Sequence, residues 1–433
     1  MKEYKVFIGF TEVCGYYHNL KKGFDEIGIE CHFFPLTPHP FSYNENEEKE
    51  LSRMEKFIRR IINLRNSSLC NNIVSVLLLK LFLCIIISLY YMSLFTKYSV
   101  FIIGFAYFPL RGFELPLFRL FGKKLVCVFH GSDSRPPYIN GVVVPNDKDF
   151  DVSFLAKLTK NKRKLIDKIN KYADIIIDAP ATSLFHSRDV INWFYIGIPY
   201  RKPNHINTSI DDSNNREHIR ILHSPSKPVS KGTDYIEHAI DKLKMKGYKI
   251  DYVKISGMPN SVVINEVSKC DFIVDELYSD TTLATFGTEA ASFGKPTVVG
   301  GEFSSFIYQE VPNQYIPPSL FVMPEDIESA IEKMITDVRF RLNLGETAKK
   351  FVEEYWHPRL VAGRFIDALS ENIPSNAKFS PYELSFIGGY GMKSDWRYKV
   401  IRSMVDTFGA SSLQLDDKPK LKEALLKEPY KPE

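Results

Sequence analysis

The chain has 433 residues, 44% hydrophobic and 25% charged, with 56 basic against 52 acidic side chains. Those fractions exclude a disordered, collagenous or coiled-coil chain. The length suits two or three domains, and the near balance of charge argues against nucleic acid as a bulk partner. None of the six cysteines forms a C-x-x-C pair, so a zinc knuckle or dithiol redox site has no support, and reduced, core-filling thiols suit a reducing cytoplasm.

In chain order, Lys5–Phe10 reads as a buried first strand, its apolar run too short for a signal peptide. A glycine turn at Gly15 precedes a helix with Leu20, Phe24 and Ile27 on one face, and Ile29–Phe34 is a second strand. This βαβ opening favours a parallel α/β sheet. Residues Asn46–Arg65 end in a cationic amphipathic helix, and Ile73–Phe95 is an apolar run of transmembrane length interrupted by Lys80. Strands follow at Ser99–Phe105, Lys124–Phe129, Ala173–Pro180 and Asn192–Pro199. Residues 201–217 are polar and turn-rich, as an interdomain linker is.

A second alternating series then begins. Strands are expected at Ile219–Pro225, Tyr248–Ile255, Cys270–Leu277 and Pro296–Gly301. Helices are expected at Thr233–Lys246, Ser261–Lys269, Thr285–Phe293, Glu325–Phe340 and Leu342–Tyr355. The fold class is therefore α/β, with a first unit over 1–200, a second over 218–370 and a C-terminal extension over 371–433. The extension carries one amphipathic helix, Asp395–Phe408, and packs back on the two units.

In open α/β sheets, ligands bind beyond the carboxyl ends of the strands. Four segments meet that condition. His223–Thr233 (HSPSKPVSKGT) places Lys231-Gly232-Thr233 before a helix, where backbone N–H groups and the lysine can cradle a phosphate. The Walker spacing is absent, and a solvated lysine is the plainer reading. Phe286–Val299 (FGTEAASFGKPTVV) sets Glu289 near a helix start, where it either accepts hydrogen bonds from a ribose diol or complements the helix dipole. His130, Asp133 and Arg135 follow a strand directly, as sugar or phosphate ligands or as a capped turn. Gly15 permits close backbone approach to a ligand, but G-x-G-x-x-G is missing.

Taken in order, HGSD-R, HSPS…KGT…I…AI, DFIVDELY and FGTEAASFGKP resemble the GT-B glycosyltransferases of group-1 type over roughly residues 7–369. The resemblance implies two Rossmann-like domains facing across a cleft, acceptor on the first and nucleotide-sugar donor on the second. It assigns Lys231 to the donor diphosphate, Glu289 to the ribose hydroxyls, and Ser224, Ser226, Gly232, Thr233, Asp275, Glu276, Gly287 and Thr288 to the donor site. His130, with Lys231 and Glu289, becomes catalytic. Gly15, His130, Asp133 and Arg135 become acceptor or sugar ligands. One position departs: Thr281 stands where many members carry a glutamate, eight residues before Glu289.

The expected function is hexosyl transfer from a nucleotide-diphosphate sugar to a glycan or lipid-linked glycan of a surface polysaccharide (capsule, lipopolysaccharide or exopolysaccharide). A non-catalytic scaffold subunit and a sugar-nucleotide epimerase of the same fold are the alternatives. No metal or cofactor is expected, since no compact ligand cluster appears in the sequence. A lone span at Ile73–Phe95 would divide one sheet across a bilayer, leaving a core helix or an interfacial helix. Arg59, Arg60, Arg65 and Lys80 support the second, as a membrane-docking set at the inner face of the cytoplasmic membrane.

Overall fold

The computed structural model describes residues 4–37, 50–66, 72–203 and 217–427. Most of the expected linker, 204–216, and the start of the expected cationic helix lie outside them.

The first unit is built on a seven-stranded sheet in the order β12-β6-β5-β4-β3-β1-β2. Its strands are β1 (Val6–Phe10), β2 (Cys31–Pro35), β3 (Val100–Gly104), β4 (Lys124–Val128), β5 (Ile175–Asp178), β6 (Val190–Asn192) and, from the C-terminal extension, β12 (Lys378–Phe379). All neighbours pair in parallel except β12, which runs antiparallel to β6. Continuous apolar runs such as VFIGF and VFIIG suit strands covered on both faces.

Alternation sorts these residues between two cores. Val6, Ile8, Val100 and Ile102 face the core beneath α1 (Tyr16–Glu26), while Phe7, Phe101 and Ile103 face the other; Phe10, the last residue of β1, is out of step and joins Phe7. The second core is closed by α2 (Arg53–Asn66), α3 (Ile73–Lys97) and the helix Val152–Tyr172.

The second unit has a five-stranded parallel sheet in the order β11-β10-β9-β7-β8. Its strands are β7 (Ile219–His223), β8 (Ile250–Lys254), β9 (Phe272–Val274), β10 (Thr297–Gly300) and β11 (Leu320–Val322). Ile221 and Phe272 pack beneath α4 (Thr233–Met245), and Leu222 and Ile273 pack against Asn260–Lys269 and Ala290 of α5 (Thr285–Ser292). In each sheet the order reverses beside the first strand, so consecutive loops leave toward opposite faces and open a crevice there. The two Rossmann-like units implied by the sequence are present.

Three expectations change. Asn192–Pro199 is not a strand: Asn192 ends β6 and its side chain accepts from the Phe194 N–H at 3.0 Å, starting one helical turn. The second unit does not keep its last helix, because α6 (Pro358–Leu369) packs on α1 of the first. Gly23 makes that packing possible, since a Cβ there would stand 2.1 Å from the Pro358 carbonyl oxygen. Arg59 is not a docking residue: it is buried, and its Nε and Nη2 donate to the Pro35 carbonyl at 3.1 and 2.6 Å. Arg65 is half-buried and donates to Asn66, whereas Arg60 and Lys80 are exposed.

The apolar run forms α3, and its two sides differ. Ile86, Ile87, Tyr90, Tyr91, Leu94 and Phe95 are buried in the first unit's core. The opposite side is open, with Leu78 62% and Leu89 60% exposed. The C-terminal extension belongs to the first unit, through β12 and through α7 (Ser394–Phe408), whose Trp396, Val400, Ile401 and Met404 complete that core.

Candidate active site

Beyond β1, the buried Glu12 carboxylate accepts the backbone N–H groups of Val13, Tyr17 and His18 at 2.7, 3.1 and 3.0 Å. That turn carries Cys14 and Gly15 to the edge of the second unit. Beyond β7, Ser224 and Ser226 lead into a helical turn, Pro228–Lys231, closed by Gly232. Gly232 has φ 70°, and a Cβ there would meet the Cβ of Leu277 at 2.5 Å, so only glycine fits.

Thr233 then opens α4, with its hydroxyl 2.9 Å from His223 Nε2. His223 Nδ1 donates to the Val274 carbonyl at 2.8 Å, so Nε2 accepts from Thr233. Burial lowers the His223 pKa to about 4 and keeps the ring neutral.

A cavity of about 170 Å³ lies at this junction, lined by Ser224, Ser226, Lys231, Asn260, Glu289 and, from the first unit, Cys14. A wider one of about 470 Å³ adjoins it, sharing Cys14, Asn260 and Glu289 and adding Gly15, His18 and Arg201. Together they form one cleft between the units. Glu289 is buried, and Asn260 Nδ2 donates to its Oε1 at 2.7 Å. Burial nonetheless pushes its carboxyl up to about 8, so the neutral acid prevails at pH 7.

Lys231 lines the cavity but is not a free cation. Its Nζ lies 3.1 Å from Asp275 Oδ1 and 2.9 Å from Glu276 Oε2. Burial opposes its charge, but the two carboxylates outweigh that and hold the ammonium well above its ordinary range. Burial also acts against Glu276, yet Lys231 keeps it ionised, with further hydrogen bonds from Ser279 and from the Tyr390 hydroxyl at 2.9 and 3.0 Å.

The remaining candidates form a second cluster. His130 Nε2 lies 2.7 Å from the Tyr17 hydroxyl, and burial lowers its pKa to about 4. The His130 backbone N–H donates to Asp133 Oδ1 at 2.9 Å, the capped-turn reading of the sequence. Burial, with Asp178 adding to it, pushes Asp133 up to about 7. Arg135 pairs with Asp280 of the second unit, and its guanidinium lies 4.6 Å from the centre of the Tyr390 ring. Tyr390 thereby joins Arg135 to Glu276 and Lys231.

The structure thus gathers Gly15, Ser224, Ser226, Lys231 and Glu289 around the cleft. Asp275 and Glu276 neutralise Lys231 rather than line the cavity. Gly232, Thr233, Gly287 and Thr288 shape the loops: Gly287 and Thr288 are buried within α5, and the Thr288 hydroxyl donates to the Ala284 carbonyl at 2.9 Å. Sequence reasoning passed over Cys14, Asn260, Asp280 and Tyr390. Asn260 opens a helix after a Gly-Met-Pro turn, a legible signal; Tyr390 arrives from the distant extension and left none.

No family model matches the chain, and no curated protein matches it. Among solved structures, it is similar to sucrose-phosphate synthase of Thermosynechococcus elongatus, with TM-score 0.49 and 12% identity over 85% of this chain and 98% of that one. It is also similar to HepE of Anabaena in complex with UDP-glucose, with TM-score 0.48 and 11% identity over 84% and 99%. The catalytic domain of starch synthase IV of Arabidopsis thaliana, bound to ADP and acarbose, gives TM-score 0.46 and 11% identity over 86% and 99%.

Proposed function

We propose that this chain is a glycosyltransferase that takes a hexosyl group from a nucleotide-diphosphate sugar to a glycan or lipid-linked glycan. The reading places it in surface-polysaccharide assembly, at the cytoplasmic face of a membrane. The observation that carries the transferase reading is the cleft itself: a buried, Asn260-bonded Glu289 and the Ser224–Lys231 loop of one Rossmann-like unit face Gly15 of the other.

The chemistry fits that geometry. Glycosyl transfer builds positive charge at the anomeric carbon and negative charge on the leaving diphosphate, so it needs fixed donors and exclusion of water. Backbone N–H groups of the loop after β7 supply donors to the leaving group. Lys231 adds its charge by exchanging Asp275 and Glu276 for phosphate. A neutral Glu289 carboxyl donates one hydrogen bond and accepts another, which matches a vicinal diol.

The test is a thermal-shift panel of uridine, adenosine and guanosine diphosphate sugars on the full chain, followed by an assay for released nucleoside diphosphate. One donor at about a hundred times its Kd should stabilise the fold by about 2.7 kcal/mol. Glu289→Ala should abolish that shift. A panel without any shift, together with no release of nucleoside diphosphate, would reject the reading.

A second reading, a non-catalytic scaffold of the same fold, is favoured by the neutralised Lys231 and by Thr281 at the departing position. Binding of nucleotide without turnover on any acceptor would select it.

A further inference from the structure

The open side of α3 is a feature that the cleft does not use. Val74, Leu78, Leu81, Phe82, Ile85 and Leu89 recur at helical spacing along it, all between 46% and 62% exposed. The stripe runs for some sixteen residues, about 24 Å at 1.5 Å per residue. Soluble surfaces rarely leave so continuous an apolar strip in water.

The same helix is long and apolar enough to cross a bilayer, but its packing does not suit a span. Its last turns are locked under the first sheet, where Tyr90 and Tyr91 pack on Phe34 and Phe10, and Phe95 packs on Phe101 and Phe118. A span needs about 20 residues surrounded by lipid, and here one side of the helix is protein along its C-terminal half.

Charge identifies what meets the open side. No acidic residue lies on α3, and the one on α2, Glu55, is 1% exposed and accepts from the Tyr90 hydroxyl. Every solvent-facing charge on the two helices is positive, Arg53, Lys56, Arg60 and Lys80 among them. Phe57 and Leu64 lie exposed between the basic residues of α2. An apolar stripe beside purely cationic side chains is complementary to an anionic bilayer surface, and mismatched to an acid-poor protein groove or to a second copy of itself.

We infer that α3 lies in the plane of an anionic membrane, its open side among the acyl chains and the basic residues of α2 at the headgroups. The inference rests on the membrane placement proposed above and deepens it, but it is independent of the transfer chemistry, because it is read out by lipid alone.

The experiment is flotation of the full chain with vesicles of phosphatidylcholine, with and without phosphatidylglycerol, nucleotide-sugar binding being measured on the same preparation. The chain should float with the mixed vesicles. Arg53→Glu/Lys56→Glu/Arg60→Glu should weaken binding by about tenfold or more. Leu78→Glu/Ile85→Glu should abolish it with an unchanged circular dichroism spectrum and Tm, because both side chains are already exposed. The idea is overturned if the wild-type chain stays unbound with both vesicle types, if Leu78→Glu/Ile85→Glu floats as well as wild type, or if light scattering finds a dimer that this variant splits.

Discussion

At the scale of single residues, titration of buried groups separates roles that residue type alone leaves open. Glu289 has its carboxyl raised to about 8 by burial, from an ordinary value of 4.5. Between those two values the folded chain holds a proton that the unfolded chain has released, so this group's contribution to stability falls as pH rises through the window. Glu289→Gln mimics the protonated acid and removes that dependence. Denaturant unfolding should therefore show the variant gaining on wild type from pH 5 to pH 8, by up to roughly 4 kcal/mol, with no further gain above. A gap that stays constant with pH would mean that Glu289 is ionised in the fold. Lys231 teaches the complementary lesson. Its place before a helix is legible as K-G-T, but its two buried carboxylate partners come from the end of β9, forty-four residues on, and only the sheet brings them together.

At the scale of elements, most of the strands and helices follow from local pattern. Apolar runs gave β1, β3 and β4, and periodic faces gave α1, α4 and α7, because fully covered parallel strands and amphipathic helices leave distinct signatures. The turn at Trp193–Ile196 did not, since an Asn192 side-chain cap competes with extension of the strand and apolar content does not register caps. Helix–helix contacts are equally hidden. Gly23 lies in the interior of α1, where helix propensity favours alanine by about 1 kcal/mol. The Pro358 carbonyl sits where the new Cβ would go, so Gly23→Ala should instead destabilise by about 2 kcal/mol or more, lowering Tm by several degrees in calorimetry. A raised Tm would show that α6 moves away from α1 at little cost.

At the scale of the whole molecule, the two units are tied by α6, by the extension and by the Arg135–Asp280 pair, whose side chains are 3% and 12% exposed. Removing one partner strands a charge in a poorly solvated place, at a cost of about 3–5 kcal/mol for a buried pair. Arg135→Ala should approach that loss in denaturant unfolding, and Arg135→Ala/Asp280→Ala should recover part of it. Small-angle scattering should also find the single variant expanded, since Arg135 is the strut on which Tyr390 and, through it, Glu276 are set. An additive double variant would show the pair to be solvated. The sequence by itself determined the α/β class, the two successive sheets and the loops that bear Gly15, Ser224, Lys231 and Glu289, because periodicity and turn chemistry act over a few residues. Only the tertiary structure decided that Lys231 is neutralised, that Arg59 is buried under Pro35, and that one side of α3 is core while the other is open. Those outcomes depend on which distant groups share a low-dielectric space, and short-range pattern carries no record of such encounters.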